Sequence, residues 1–271
     1  MLSLECGAVE AIRKDIHLNV LGINHFTWVD QASYEMTNLM PIFEAFAKKY
    51  AETGYALDES DTDKANPFRN LNKVAFDLYL RYHAIPAAGD RHIAEFMPPW
   101  YLKSPETAEQ FGFALTKVAY RKQERKALIA KTEAVLSGRE SFEITPSGEE
   151  GTAQIKALVG LSELISNVNL PNRGQVAGLP LGAIVETNAL FAKDAARPLF
   201  AGSLPPVVNN IVSRHVANQT MIIEAGIRKD TELAFCAFMN DNLMTLTPWD
   251  AEKLFYEMLE NTKTYLHGWK W

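Results

Sequence analysis

The stretch from Ile16 to Asp30, IHLNVLGINHFTWVD, constrains the fold of this chain more than any other. Apolar residues alternate along its first half, Gly22 interrupts the run, and aromatic and β-branched residues resume after the pair Asn24 and His25. This pattern predicts a strand, a sharp bend at Gly22, and a second strand or strand end that carries the Asn-His pair.

The pair Asn24 and His25 stands in apolar surroundings, where two polar side chains are costly unless each has a partner. Histidine is the commonest metal ligand, and an asparagine beside it can both donate to and accept from a substrate hydroxyl. The pair therefore indicates a candidate binding site. The alternative is a core histidine with satisfied hydrogen bonds next to a turn asparagine.

A second polar cluster lies in the segment from Ala84 to Leu102, which we predict to be a loop hinged at Gly89. It presents Asp90, Arg91 and His92 in succession, and such a density of polar groups on a loop is typical of binding and catalytic residues. The alternative is a structural role, with a salt bridge between Asp90 and Arg91 and with His92 as a helix cap.

The rest of the chain is mostly helical in pattern, with one further segment of strands. Apolar spacing and capping residues predict helices over about 36–53, 70–83, 104–136, 148–166, 207–226, 230–239 and 249–266. The expected caps are Ser104, Ser147 and Thr247. The expected buried faces include Leu115, Val118, Leu128, Ile155, Val159, Leu161, Val208, Val212, Val216, Ile222 and Ile223.

Three short apolar runs between Val168 and Thr187 predict a β-hairpin or meander that pairs antiparallel with the opening strands. Strands at both ends of a largely helical chain indicate an α+β fold, a helical shell on a small antiparallel sheet. With 271 residues, of which 47% are apolar, the chain can bury a sizeable core in one large domain or two small ones.

Composition excludes several classes of function. A net charge of −6 without clustered Lys and Arg argues against nucleic-acid binding. No apolar run reaches the roughly 18 residues of a membrane span, and the first residues do not form a signal peptide, so we expect a cytoplasmic protein. Cys6 and Cys236 lack metal-ligand or disulfide spacing.

Several motifs together carry a resemblance to a known family. The segment Gly22–Trp28 resembles the G-x-N-H-x-x-W segment of glycoside hydrolase family 4, and further segments follow in the family's order: Gly89–His92, Val168–Gly174, Ala183–Glu186 and Leu204–Pro206. The match spans nearly the whole chain. The stretch Asp90–Phe96 is most similar to the α-galacturonidase and α-glucuronidase branch.

The resemblance implies that residues 1–271 form a single catalytic and substrate domain, similar to the C-terminal domain of family 4 glycosidases and lactate dehydrogenases. Family members begin with an NAD-binding Rossmann domain, whereas this chain has no G-x-G-x-x-G after a strand. We therefore expect the Rossmann domain to be absent and the chain alone to be inactive. The face that would contact that domain is expected to expose Phe26, Trp28 and the Asp90 loop.

The implied reaction is hydrolysis of O-glycosyl bonds, of α-galacturonides in particular, by oxidation, elimination and addition. NAD accepts a hydride from C3 of the sugar, a base removes the C2 proton, the glycosidic oxygen leaves, and water then adds. A divalent ion, commonly Mn²⁺, polarises the C3 oxygen as a Lewis acid. The family's cysteine ligand would lie upstream, because the surroundings of Cys6 do not match its signature.

The resemblance also implies roles for the polar residues. His25 is a metal ligand and Asn24 holds a sugar hydroxyl. Asp90 is the candidate base, and Arg91 receives the uronate carboxylate through two parallel hydrogen bonds. His92 is a second contact or a proton shuttle.

Two other classes of function stay open at this point. One is the substrate domain of a 2-hydroxy-acid dehydrogenase, which would use an Arg, His and Asp set without a metal. The other is a non-catalytic, truncated module. Family resemblance favours a homodimer or homotetramer, with a small uronide substrate and neither a membrane nor a nucleic acid as partner.

Overall fold

The computed structural model describes residues 15–145 and 149–271. The expectations for Cys6 and for a helix cap at Ser147 concern residues outside these ranges. Within them the chain forms an antiparallel sheet with helices packed on it, so the predicted α+β class is confirmed. None of the helices in this described part is long and apolar enough to cross a membrane.

The described residues contain short strands and mostly longer helices. The strands are β1 Ile16–Ile23, β2 Phe26–Tyr34, β3 Thr37–Asn38, β4 Ile85–Pro86, β5 Leu164–Pro171, β6 Val176–Ala177, β7 Ile184–Ala192, β8 Ala195–Pro198 and β9 Gly202–Ser203. The helices are α1 Met40–Tyr50, α2 Lys73–Tyr82, α3 Asp90–Phe96, α4 Pro105–Gln110, α5 Val118–Leu136, α6 Gly151–Leu158, α7 Pro206–Arg228, α8 Thr231–Met239 and α9 Pro248–Thr262. Glu59–Thr62 and Lys263–Tyr265 are short 3₁₀ helices.

Strands β1 and β2 form a hairpin in which Ile23 pairs with Phe26, so Asn24 and His25 are its two-residue turn. His25 adopts a left-handed backbone with φ 62°, as hairpin turns commonly require. The sequence predicts a sharp bend at Gly22. That prediction is wrong in position, because Gly22 lies inside β1 and the chain reverses two residues later.

The main sheet has the order β3-β2-β1-β7-β5, with β4 beside β2 and β8 beside β7, and its pairs are antiparallel. Strand β7 joins the opening hairpin through the pairs Leu21 with Thr187 and Gly22 with Glu186. The predicted pairing of the later strands with the opening ones is therefore confirmed. Strands β6 and β9 form a separate parallel pair.

The hairpin is buried on both faces. Leu21 and Trp28, each 0% exposed, belong to one apolar cluster with residues of α2, α3 and α7. Val20 and Val29 belong to a second cluster with residues of α1 and α2. Successive side chains of a strand point to opposite faces, so two layers of helix are needed to cover it. Phe26 and Trp28 are consequently buried within the chain, and the expectation that they form an exposed face is wrong.

The expected loop after Gly89 is instead helix α3, and Asp90 connects it to α2. The carboxylate of Asp90 accepts hydrogen bonds from the backbone N–H groups of Val74 and Ala75, at 3.1 and 3.0 Å. These N–H groups lie in the first turn of α2, whose own N-cap residue, Asn72, makes no side-chain cap. Asp90 therefore supplies a cap from a distant part of the sequence.

Two predicted helices are shorter than their patterns indicate. The helix expected over 104–136 is divided into α4 and α5 around Gly112, where φ is 75° and an added Cβ would lie 2.8 Å from the Cβ of Leu71. The helix expected over 148–166 ends at Leu158, and β5 begins at Leu164. Several side chains expected to be buried on these helices are exposed instead, whereas Val208, Val212 and Val216 of α7 are buried as expected. The exposed ones are Leu115, Val118, Leu128, Ile155, Val159, Leu161, Ile222 and Ile223.

We predict that Gly22→Ala destabilises the chain. The added Cβ would lie 2.8 Å from the Cα of Thr27 and closer still to the carbonyl oxygen of Phe26, and φ is 152°. Backbone atoms of a paired strand cannot move away easily, so the free energy of unfolding should fall by about 1–3 kcal/mol in a urea titration.

Gly226→Ala is the matched control, because Gly226 lies within α7 and an added Cβ meets nothing within 4 Å. Alanine should stabilise this helix by about 0.5–1 kcal/mol. Equal effects of the two substitutions would contradict the close packing described at Gly22.

We predict that Asp90→Ala lowers the free energy of unfolding by about 2–4 kcal/mol, because it leaves the buried N–H groups of Val74 and Ala75 without an acceptor. Asp90→Asn should cost less, since the amide keeps one carbonyl oxygen. Asp230 caps α8 from its ordinary local position, through Leu233 N at 3.0 Å. If Asp90→Ala costs no more than Asp230→Ala in the same titration, the buried cap is not as described.

Candidate functional site

The turn of the β1-β2 hairpin is exposed at one end of the sheet. Asn24 and His25 are both exposed, so the alternative of a buried core histidine is wrong. The side-chain oxygen of Asn24 accepts a hydrogen bond from Asn169 Nδ2 in β5 at 3.3 Å. This bond orients the amide of Asn24 while its own N–H₂ group stays available to a ligand.

A carboxyl group lies next to the hairpin turn. Glu186 of β7 stands opposite Gly22 of β1 on one side and opposite Asn169 of β5 on the other. Burial raises the pKa of this half-buried carboxyl, while the backbone N–H of His25 and the charge of its imidazole act in the opposite direction. The sequence motif contained Glu186, but its place at the turn depends on strand register, which the motif does not reveal.

Helix α3 contributes a second imidazole. The rings of His25 and His92 meet edge to face, with centroids 5.1 Å apart. Nδ1 of His92 is 3.8 Å from a carboxylate oxygen of Glu95, which is too far for a direct hydrogen bond. The structure thus brings together two of the predicted residues that are separated by almost seventy positions in the sequence.

Asp90, predicted to be the base, is in a different environment. It is 0% exposed, and both oxygens of its carboxylate are occupied by the N–H groups of Val74 and Ala75. Burial raises its pKa to about 7, although those N–H groups and the charge of Lys73 oppose the rise. These contacts assign Asp90 to capping α2 and do not support its role as the base.

Arg91 is held by contacts that do not include Asp90. Its Nη1 donates to Thr116 Oγ1 at 2.6 Å and to the carbonyl oxygen of Pro67 at 3.3 Å. Its guanidinium carbon lies 5.3 Å from the ring centre of Phe68. The alternative of a salt bridge between Asp90 and Arg91, with His92 as a cap, is therefore wrong.

Beside His92 is a small cavity of about 130 Å³. It is lined by Phe68, Arg69, Asn70, Gly89, Asp90, Arg91, His92 and Ala114. The predicted residues Arg91 and His92 therefore share one surface. Arg69 and Asn70 join them without having been singled out from the sequence, because they lie before α2 and reach the cavity only in the folded chain.

The described residues do not by themselves form a metal site. Within residues 15–145 and 149–271, no three His, Cys, Asp or Glu side chains are grouped so that they could hold a metal ion. His25 offers one imidazole, and Glu186 is the carboxyl group beside it. A complete set of ligands would need groups from outside these residues.

Comparison with known proteins identifies the family to which this chain belongs. Residues 20–244 match the family 4 glycosyl hydrolase C-terminal domain. The chain is 50% identical over 259 residues to an α-galacturonidase of Thermoanaerobacterium saccharolyticum, an alignment that covers 95% of this chain and 56% of the relative. The chain thus spans little more than half the length of that relative.

Solved structures agree with this match. A Bacillus subtilis protein assigned as a glucosidase superimposes with a TM-score of 0.88 at 46% identity, over 95% of this chain and 59% of that one. The 6-phospho-β-glucosidase of Thermotoga maritima, solved with manganese, NAD⁺ and glucose-6-phosphate, gives a TM-score of 0.64 at 16% identity, over 93% and 54% of the two chains. This second likeness concerns the fold alone. The chain belongs to the family 4 glycosyl hydrolases and corresponds to their C-terminal domain.

Proposed function

We propose that the protein containing this chain hydrolyses the O-glycosyl bond of α-galacturonides. The observation that carries the proposal is the meeting of Asn24, His25 and His92 at the hairpin turn, next to a cavity lined by arginines. Such a surface offers hydrogen bonds to sugar hydroxyls and positive charge to a carboxylate. The α-galacturonidase relative supports the same substrate class.

We propose further that the reaction uses NAD and a divalent ion, and that an NAD-binding Rossmann domain works together with this chain. The Thermotoga maritima structure contains NAD⁺ and manganese, and this chain covers only 56% of the galacturonidase relative. NAD, when bound, would take up a hydride and return it to the sugar, so that the net reaction is hydrolysis, and in family 4 this replaces the usual pair of carboxylates.

The residues of this chain have separate roles in the proposed reaction. The free N–H₂ group of Asn24 binds a sugar hydroxyl, and His25 contributes one ligand to the metal site. His92 contacts the sugar or transfers a proton beside it. Asp90 acts as a positioning residue, because its cap on α2 holds α3 in place, and this role replaces the one that the resemblance implied.

Membership of family 4 favours this function over the 2-hydroxy-acid dehydrogenase alternative. The homodimer or homotetramer and the cytoplasmic location stay predictions. So does the division of residues 1–271 from a separate N-terminal domain.

We predict that the full-length protein, with NAD, Mn²⁺ and a reductant, releases galacturonate from an aryl α-galacturonide at an ordinary enzymatic rate of roughly 1–10³ per second. Residues 1–271 alone should fold but show no turnover, since the hydride acceptor would have no binding domain. Release of the aryl group, followed by absorbance, measures both.

The matched control substrate is the aryl α-galactoside, which differs only in lacking the carboxylate. Equal kcat/KM for the galactoside and the galacturonide would overturn the assignment to galacturonides. Turnover by residues 1–271 at the rate of the full-length protein would overturn the need for a second domain.

We predict that His25→Ala weakens metal binding by the full-length protein without unfolding it, because the side chain is exposed at the turn and contributes little to the core. Removing one imidazole ligand should lower the Mn²⁺ affinity at least tenfold in a calorimetric titration. His17→Ala, an exposed histidine on β1, is the control. An unchanged Mn²⁺ affinity in His25→Ala would remove His25 from the metal site.

A further inference from the structure

The cavity beside His92 contains two arginines whose charges are not neutralised by carboxylates in the described part of the chain. The ion pairs found in that part include neither Arg69 nor Arg91. The acidic residue of the lining, Asp90, directs both oxygens at the N–H groups of α2. The cavity therefore has an excess of positive charge.

The two arginines differ in how many hydrogen bonds they already make. Arg91 uses Nη1 for Thr116 and Pro67 and lies over the ring of Phe68. Arg69 has a buried Nε with no hydrogen-bond partner. A buried guanidinium N–H without an acceptor is costly, so Arg69 would gain more than Arg91 from an anion bound in the cavity. Arg69 therefore has more unused hydrogen-bonding capacity than Arg91, the arginine to which the resemblance assigns the carboxylate.

The position of the cavity indicates what kind of anion it receives. His92 belongs both to the cavity lining and to the ring contact with His25 at the hairpin turn. A sugar held at the turn by Asn24 therefore has the cavity at its side. A carboxylate matches a guanidinium through parallel N–H to oxygen bonds.

We propose that Arg69, supported by Arg91, binds the carboxylate of the uronide and so determines specificity for galacturonides over galactosides. The inference deepens the proposed function and rests on it for the identity of the sugar. Asn70, whose Oδ1 accepts from the backbone N–H of Asn72 at 3.3 Å, stands between Arg69 and α2 and fixes the course of the chain at the cavity. Arg69 is a specificity-determining residue and takes no part in bond cleavage.

The test compares Arg69→Met and Arg69→Lys with the parent in the full-length protein, on the aryl α-galacturonide and the aryl α-galactoside. Arg69→Met should raise KM for the galacturonide on the order of 10–100-fold with a much smaller change in kcat, and should leave kcat/KM for the galactoside unchanged. Arg69→Lys should restore part of the loss, because a lysine keeps the charge but cannot form the planar pair of bonds. Arg91→Lys should have the smaller effect of the two lysine substitutions.

Arg121→Met is the matched control. The guanidinium carbon of Arg121 lies 5.1 Å from the centre of the same Phe68 ring, but this arginine is paired with Glu124 and does not line the cavity. The KM of the Arg121→Met variant for the galacturonide should equal that of the parent. Equal losses on both substrates in Arg69→Met, or no loss on either, would overturn the assignment of Arg69.

Binding of the free sugars separates this inference from the proposed function. In calorimetry, D-galacturonate should bind the parent more tightly than D-galactose, and Arg69→Met should abolish the difference. If the parent fails to cleave galacturonides yet shows this difference, the proposed reaction is wrong and the carboxylate site stands. If the parent cleaves galacturonides and Arg69→Met binds both sugars as the parent does, the carboxylate site is wrong and the proposed reaction stands.

Discussion

The burial of the β1-β2 hairpin on both faces is the constraint on which the rest of the structure depends. Each large apolar side chain removed from water stabilises the fold by about 1.5–3 kcal/mol, and Leu21, Ile23, Phe26 and Trp28 are all 1% exposed or less. A slip of one residue between the strands would exchange the two faces and mismatch both layers of helices. The register is therefore fixed, and with it the place of the turn formed by Asn24 and His25.

The capping of α2 by Asp90 is a second constraint. It holds helix α3 in place, and His92 of that helix contacts His25 of the turn. The cap joins residues fifteen and sixteen positions apart, and it fixes the first turn of α3, where Arg91 and His92 follow directly. A charged group buried without partners would be costly, whereas one that accepts two backbone N–H bonds at a helix N-terminus is compensated. While it maintains these bonds, the carboxylate is fully buried and directed at α2. The presence of Asp90 in the polar motif is explained by its hydrogen bonds, which hold α3 against α2.

Much of the fold was predictable because its signals are local. Alternation predicted the opening strands, the caps at Ser104 and Thr247 start α4 and α9 as expected, and the later strands pair with β1 as predicted. The motifs also identified the family. The predictions that are wrong depend on contacts between distant segments. A helix, α3, forms where a loop was expected, and its Asp90 accepts hydrogen bonds from α2. The long helix predicted over 104–136 is interrupted around Gly112, against which Leu71 packs.

The same reasoning explains which candidate site residues could be found from the sequence. Asn24, His25, Arg91 and His92 belong to motifs and were found by their chemistry, although only the structure shows that His25 and His92 are in contact. Glu186 reaches the turn through strand register. Arg69 precedes α2 in an unremarkable loop, and nothing in its local sequence distinguishes it from a solvated surface arginine. Only its buried Nε and its place in the cavity do so.

The architecture separates the groups that would hold the reacting part of a sugar from those that would recognise its substituent. The former lie on the hairpin turn, whose position depends on the sheet and its two apolar layers. The latter lie between the chain before α2 and the first turn of α3, and their position depends on the Asp90 cap. Because the two sets of residues are held in place by different contacts, side chains in the cavity can change without altering the register of the strands. Substitutions in the cavity could in this way change which substituent of a sugar is accepted while the residues of the turn are kept.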